Sequence, residues 1–382
     1  MDKAQKLAYI RKHWGKKTPE EIARHIGAAP RTMRRYRREL NLPKYIAPTA
    51  DDHVEEHRLR RKAREVSRDK RQLADRVVDL EEKLEAALAI SKFRASYKIP
   101  QGKKSRGSEA VAVALASDWH IEEVVHRYQV AGLNEFNEEV CRTRVRRYFR
   151  HLLKLVKKEK VATKISTLVL WLGGDFISGS IHEELVEGNR LLPIDAILEC
   201  REHIVSGIKY LLANSDLNVV VPTSSGNHGR TTHKVHVSTE SGNSLEYFMY
   251  ASIAKEFEKN PRVEVLLNKG YHTYVKVWPN FTIRFHHGHS MRYLGGQSGI
   301  AGPATRMIKN WNEGRHADLD CFGHFHQLYR HGTFVGNGSL IGPGAYSWRG
   351  GFSPERPQQA FFLVDRDLGL TGFHPIILTE DR

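Results

Sequence analysis

The chain has 382 residues, 40% hydrophobic and 27% charged, a balance that excludes a disordered or fibrous protein. Its net charge is +16, with 29 Lys/Arg against 16 Asp/Glu in residues 1–110 and 31 against 28 in residues 111–382, so the basic excess sits in the first third and marks it for a polyanion, nucleic acid first. Three scattered cysteines (Cys141, Cys200, Cys321) exclude a disulfide framework, and no stretch has the apolar core of a signal peptide or a membrane span, so the expectation is a soluble cytoplasmic protein.

Residues 1–43 read as a small helical domain. Leu7, Ile10 and Trp14 share one helical face. Thr18-Pro19-Glu20-Glu21 is a helix start, with threonine as N-cap, proline in the first turn and glutamate closing a capping box. Gly27 breaks that helix, and a third begins near Pro30 with Arg31, Arg34, Arg35, Arg37 and Arg38 around Met33, Tyr36 and Leu40. Two helices joined by a short glycine turn, the second dense in arginine, resemble a helix-turn-helix module. Arg31, Arg34, Arg35 and Arg38 are the candidate nucleic-acid contacts, DNA before RNA, with a solvated basic helix as the bland alternative.

Residues 44–50 read as a linker, and 51–92 as one long helix. Leu59, Val66, Leu73, Leu80 and Ala87 recur every seven residues, with Ala63, Val77 and Leu84 at the second seam position. Such a seam predicts a coiled coil and a homodimer, with packing back along the chain as the alternative. Lys70 and Glu56 weaken its first half. Residues 93–110 read as a basic tether.

From Val111 onward, five polar clusters each follow an apolar run. DWH (to His120) follows VAVALAS, and GGD (to Asp175) follows TLVLWLG. GNHGR (to Arg230) follows NVVVPTSS, HHGH (to His289) follows FTIRF, and GHFH (to His326) follows LDCF. Runs of this kind are strands buried on both faces, and polar residues at their ends are delivered to one edge of a sheet. Carboxylate and imidazole groups without cysteine suit Mn, Fe, Zn or Ni and exclude iron–sulfur and structural cysteine–zinc sites. The ligand count exceeds the need of one ion, which suggests a two-metal site for displacement at phosphorus. The loop 176–192, with His182 and Glu183, is placed at the mouth of this site, and the glycine-rich stretch 291–303, which matches no nucleotide-loop motif, is either a phosphate loop or a merely flexible one. Five arginines between Arg142 and Arg150 read as a solvated helix face, with an extension of the nucleic-acid track as the alternative. The late runs HGTFVGNGSL, AFFLVD and LTGFHPII are expected to finish the second sheet.

The set and order of the five clusters resemble the calcineurin-like metallophosphoesterases over residues 111 to about 370. The resemblance implies an α/β sandwich of two mixed sheets flanked by helices, following the helix-turn-helix and the coiled coil. It implies two divalent ions, Mn first, one on Asp118, His120 and His326 and the other on Asn227, His287 and His324, with Asp175 and a hydroxide bridging them. His287 is chosen over His286 and His289 by the family's His-Gly pair. His228 would stabilise charge on the phosphoryl group. The acid that usually follows the third motif is replaced by Gly229, and Arg230 is a candidate phosphate contact. The expected activity is a metal-dependent nuclease cutting DNA phosphodiesters. A phosphatase or small-molecule phosphodiesterase with an appended DNA-binding module, or an inactive DNA-binding regulator, are the alternatives.

Overall fold

The computed structural model describes residues 1–45, 58, 61, 62, 68, 71, 94–101, 107–292 and 299–379. The chain divides into two units, residues 1–81 and 82–382.

The first unit opens with α1 (Lys3–His13), α2 (Pro19–Ile26) and α3 (Pro30–Glu39). The capping box of α2 forms as its sequence dictates: Thr18 Oγ1 accepts the Glu21 N–H (3.2 Å) and the Glu21 carboxylate accepts the Thr18 N–H (2.9 Å). Asp2 and Gln5 cap α1 in the same way. Ile10, Ile22, Ile26, Met33 and Tyr36 form the core between the three helices. Arg31, Arg34, Arg35 and Arg38 are exposed on α3, and their spacing of three and four residues lines them along one helix face. The seam positions Leu59, Val66, Leu73, Leu80 and Ala87 lie outside the described residues. Arg58, Arg61, Lys62, Arg68 and Arg71 of the same stretch are helical and exposed.

The second unit is an α/β sandwich of two six-stranded sheets, as the resemblance implied. One sheet has the order β12-β11-β2-β3-β4-β5, comprising β2 (Glu109–Ala116), β3 (Lys164–Leu172), β4 (Asn218–Pro222), β5 (Val263–Leu266), β11 (Gln358–Asp365) and β12 (Gly369–Ile377). The strands β2 to β5 are parallel, and β11 and β12 add antiparallel at the β2 side. The other sheet has the order β1-β6-β7-β8-β10-β9. Its members are β1 (Ser96–Lys98), β6 (Thr273–Trp278), β7 (Phe281–Phe285), β8 (Leu319–Phe322), β9 (Tyr329–Arg330) and β10 (Phe334–Gly336). Alternation along β2 explains the layering. Val111, Val113 and Leu115 enter the core between the sheets, against Trp171, Val275, Ile283, Phe285 and Phe362. Ala110, Ala112, Ala114 and Ala116 point the other way, where small side chains let three helices close in: α4 (Glu138–Glu159), α6 (Pro193–Ala213) and α7 (Leu245–Phe257). Two shorter helices, α5 (Glu183–Gly188) and α9 (Ala345–Arg349), and α8 (Ala301–Gly314) complete the unit.

Four readings of the sequence need correction. Within the expected tether 93–110, Ser96–Lys98 is the edge strand β1, parallel to β6, with Ile99 buried against the sandwich core. Basic composition hid the alternation of Tyr97 and Ile99. The late strands β11 and β12 return to the sheet of β2, and only Phe334–Gly336 joins the other. Arg144 is buried rather than solvated: its guanidinium donates to the carbonyls of Leu340 (3.0 Å) and Ile341 (2.7 Å) and to Asn134 Oδ1 (2.8 Å). Of the glycine-rich stretch 291–303, residues 301–303 begin α8, and 293–298 lie outside the described residues. Among the described residues no helix is long and apolar enough to cross a membrane.

Candidate metal centre

Strands β2, β3 and β4 of one sheet and β7 and β8 of the other end beside one another, and each polar cluster begins where its strand stops. Two groups of ligand atoms result, each with all atoms within 4.8 Å of one another: Asp118, His120 and His326, and Asp175, His287 and His324. All six belong to the set read from the sequence. Both groups have the donor types and closeness to hold a divalent cation.

The local backbone is unusual in a way that marks function. Seven described residues other than glycine have positive φ, and five of them are Asp118 (57°), His120 (47°), Asp175 (50°), His324 (70°) and His326 (55°). Left-handed backbone costs energy for such side chains and persists where the surroundings over-determine it. Glycines allow the loops to meet. A Cβ on Gly174 would lie 2.2 Å from Gly226 N, and one on Gly226 would lie 2.1 Å from Asp175 Oδ1. The two loops can therefore touch only without side chains.

Asp118 rests on a buried polar floor. Its Oδ2 accepts the Ser117 hydroxyl (2.5 Å), which in turn accepts from Asn337 Nδ2 (2.9 Å), and Gln359 Oε1 accepts the Ser117 N–H (3.0 Å). Its Oδ1 accepts the His324 N–H (2.9 Å) and lies 3.4 Å from His326 Nε2. His120 Nδ1 bonds the Ser178 hydroxyl (2.8 Å), and that hydroxyl also lies 2.8 Å from Glu123 Oε2. His120 Nε2 is buried with no partner among the described residues. Burial, then the neighbouring His228 and His326, hold the His120 pKa well below its ordinary value, so the ring is neutral, as a ligand must be.

Asp175 is the carboxylate of the second group. Its Oδ1 accepts the His228 N–H (2.8 Å) and its Oδ2 lies 2.9 Å from His287 Nε2. Burial would raise its pKa, but the charges of His287 and His228 pull it well below the carboxylate range. His287 Nδ1 donates to the Gly173 carbonyl (2.7 Å), and although burial opposes it, the Asp175 carboxylate raises the His287 pKa to about 10. His287 thus carries a proton that a metal ion would displace. His286 points away, stacked on Phe322 and Tyr271. His289 pairs with Glu240 (3.2 Å). Asn227 lies between Gly226 and His228, which both abut Asp175, and its Oδ1 is buried without a partner among the described residues. Unsatisfied buried donors and acceptors are costly, so the orphaned His120 Nε2 and Asn227 Oδ1 fit residues arranged around a cation.

No family model and no curated protein matches the sequence. Among solved structures, the chain is similar to the sulfate thiohydrolase SoxB of Thermus thermophilus in complex with glycerol, at 10% identity and a TM-score of 0.29. The match covers 74% of this chain and spans 58% of the other. A likeness that weak assigns nothing to this chain, whose site is read from its own geometry.

Two residues not singled out in the sequence complete the centre. Glu246, on α7, is fully buried and accepts the Phe176 N–H (Oε1, 2.7 Å) and the Gly226 N–H (Oε2, 2.7 Å), tying the Asp175 and Asn227 loops together. A Cβ on Gly229 would meet Glu246 Cγ at 2.7 Å, so the position where a motif acid was expected has no room for one. His228 is oriented instead by the Ser178 carbonyl, 3.0 Å from its Nδ1. Glu122 accepts the Ser178 and Gly179 N–H groups (both 2.8 Å), and burial pushes its pKa up to about 8. Arg230 is turned into its own loop, donating to the carbonyls of Asn227 (2.6 Å), Thr232 (3.1 Å) and His233 (3.2 Å). The pair Glu122-Glu123, two and three residues past His120, was the available signal; Glu246 had none.

Proposed function

We propose that the chain is a dinuclear-metal-dependent phosphoesterase of the calcineurin-like type that hydrolyses phosphodiester bonds of DNA. The observation that carries this reading is the pair of adjoining carboxylate–imidazole groups, Asp118–His120–His326 and Asp175–His287–His324, linked where the His120 N–H donates to the Asp175 carbonyl (3.2 Å). Asp118, His120 and His326 would hold one ion and Asn227, His287 and His324 the other, with Asp175 between. When bound, such a pair polarises phosphoryl oxygens and lowers the pKa of water at the site. The chain's own residues do the rest. Ser178 and Gly173 fix the rings of His120 and His287 by their Nδ1 atoms, leaving Nε2 for the ion. His228, with Nδ1–H held on the Ser178 carbonyl, offers Nε2 to the phosphoryl or leaving oxygen and stabilises charge there when protonated. Arg230 keeps the loop carrying Asn227 and His228 in shape.

The exposed arginine face of α3 supports nucleic acid as the substrate, and residues 51–92 are proposed to pair two chains. The experiment is hydrolysis of single- and double-stranded DNA beside bis- and mono-nitrophenyl phosphates, with Mn restored after chelation. Cleavage of DNA and of the diester supports the nuclease reading. Turnover of the monoester alone overturns it in favour of a phosphatase. Substituting Arg31, Arg34, Arg35 and Arg38 by alanine should reduce the slope of log affinity against log salt by roughly 0.7–0.9 for each phosphate that is no longer neutralised. An unchanged slope would remove α3 from the DNA surface.

A further inference from the structure

The segment that follows β10 is tied at both ends beside the Asp118–His120–His326 group. At its near end, a Cβ on Gly344 would lie 3.6 Å from Glu123 Oε1, and Glu123 reaches His120 through Ser178. At its far end, the Glu355 carboxylate accepts the Leu328 N–H (2.9 and 3.0 Å) and the Ser353 carbonyl accepts from Gln327 Nε2 (3.0 Å), immediately after His326. Between these ties lies α9, packed against the short 3-10 turn Arg127–Val130.

This rim carries the two most exposed aromatic side chains among the described residues, Tyr346 (84%) and Tyr128 (82%), with Trp348 half exposed (40%). The tyrosine rings are not loose. Tyr128 lies parallel to His126 (5.4 Å between centroids, 9°), and Tyr346 stacks on Phe352 (6.4 Å, 29°). Neither serves the core, so each leaves a large apolar face in water at a cost in burial. Arg127, Arg349 and Arg356 are exposed around them, while the nearby carboxylates of Glu123 and Glu355 are engaged by Ser178 and Leu328. Segments 126–130 and 344–356 hold these three arginines against Glu355 alone, so the rim is positive and aromatic. Aromatic faces between guanidinium groups suit a polyanion whose bases are free to stack, which bases inside a duplex are not.

We propose that Tyr128, Tyr346 and Trp348 form a stacking rim that holds unpaired bases of a single nucleic-acid strand beside the metal centre, a refinement that rests on the phosphodiesterase reading. The test compares binding of an oligothymidylate of about 12 nucleotides with an abasic oligomer of equal length. The full chain is used, in chelator so that nothing is cut. The phosphates are the same in both oligomers, so the difference reports stacking. The expected result is tighter binding of the thymidylate by about tenfold for each stacked base, roughly a thousandfold for three, with about tenfold lost at each of Tyr128→Ala, Tyr346→Ala and Trp348→Ala. It should be kept by Tyr128→Phe, Tyr346→Phe and Trp348→Phe. Equal binding of the two oligomers, or a preference that survives all three alanines, overturns the proposal. A wild-type dimer that the alanines dissociate without touching that preference overturns it too, making the rim a contact between copies. Hydrolysis of bis-nitrophenyl phosphate by the Mn-loaded wild type is read separately. Its absence alongside an intact base preference supports the rim and sinks the phosphodiesterase reading instead.

Discussion

His120 and His287 occupy matching places in the two ligand groups and are held by different means. The His120 ring is fixed by the Ser178 hydroxyl, itself against the Glu123 carboxylate. The His287 ring is fixed by the Gly173 carbonyl, a main-chain atom at the end of β3. The carboxylates are alike at Oδ1, which takes a backbone N–H in both (His324 for Asp118, His228 for Asp175), and differ at Oδ2, which takes the Ser117 hydroxyl in Asp118 and faces His287 in Asp175. One group is oriented by side chains that a single substitution can delete. The other is oriented largely by loops that follow from the strands. The first should therefore be separately adjustable, and the second should fail only with the loops themselves.

Asp175→Asn removes the carboxylate proposed to serve both ions and should have the largest effect. Removing partners one step further from a metal already costs roughly 10–100-fold in affinity, so loss of this carboxylate should weaken both ions by more than about a hundredfold. Isothermal titration with Mn reads this directly. An effect confined to one ion would move Asp175 wholly into one group.

Glu246 ties the Asp175 and Asn227 loops together, and it predicts a pH dependence. Burial, then the Asp175 charge, raise its pKa from the ordinary 4.5 to about 7. The unfolded chain therefore gives up this proton first as pH rises. Its contribution to stability is present below about pH 4.5 and is lost as pH rises to about 7, by about 3 kcal/mol in total. Buried neutral histidines such as His120 add stability over the same window, so the readout is the difference. In urea unfolding of the metal-free proteins, the wild type should lose about 3 kcal/mol relative to Glu246→Gln as pH rises from about 4.5 to about 7. Parallel pH profiles of the two would contradict this account of the carboxyl.

Ser178→Ala should produce the smallest change and the most selective one. It frees the His120 ring and should weaken one ion by roughly 10–100-fold while leaving the other in place. Ser178→Thr, which keeps the hydroxyl, should restore it. Equal weakening of both ions would show that the two groups are not held independently.

Much of this centre was legible in the sequence because strands buried on both faces announce themselves. VAVALAS and TLVLWLG could only be such strands, and the polar residues after them had one place to go. The helix start at Thr18 was equally readable, since its capping box is local. What the sequence did not show was brought together by the fold. Glu246 reaches the Asn227 loop from a helix, and Arg144 reads as one more cation in a basic run until the carbonyls of Leu340 and Ile341 meet it. Ser96–Lys98 was hidden by its basic neighbours, and its place as an edge strand follows only from pairing with Thr273–Trp278.

The central claim is that the two groups hold two ions at once, and counting metal in the loaded protein tests it most directly. Elemental analysis of full-length chain saturated with Mn and freed of excess should give about two ions per chain, and about one in His120→Ala. One ion in the wild type, retained unchanged by His120→Ala, would contradict it.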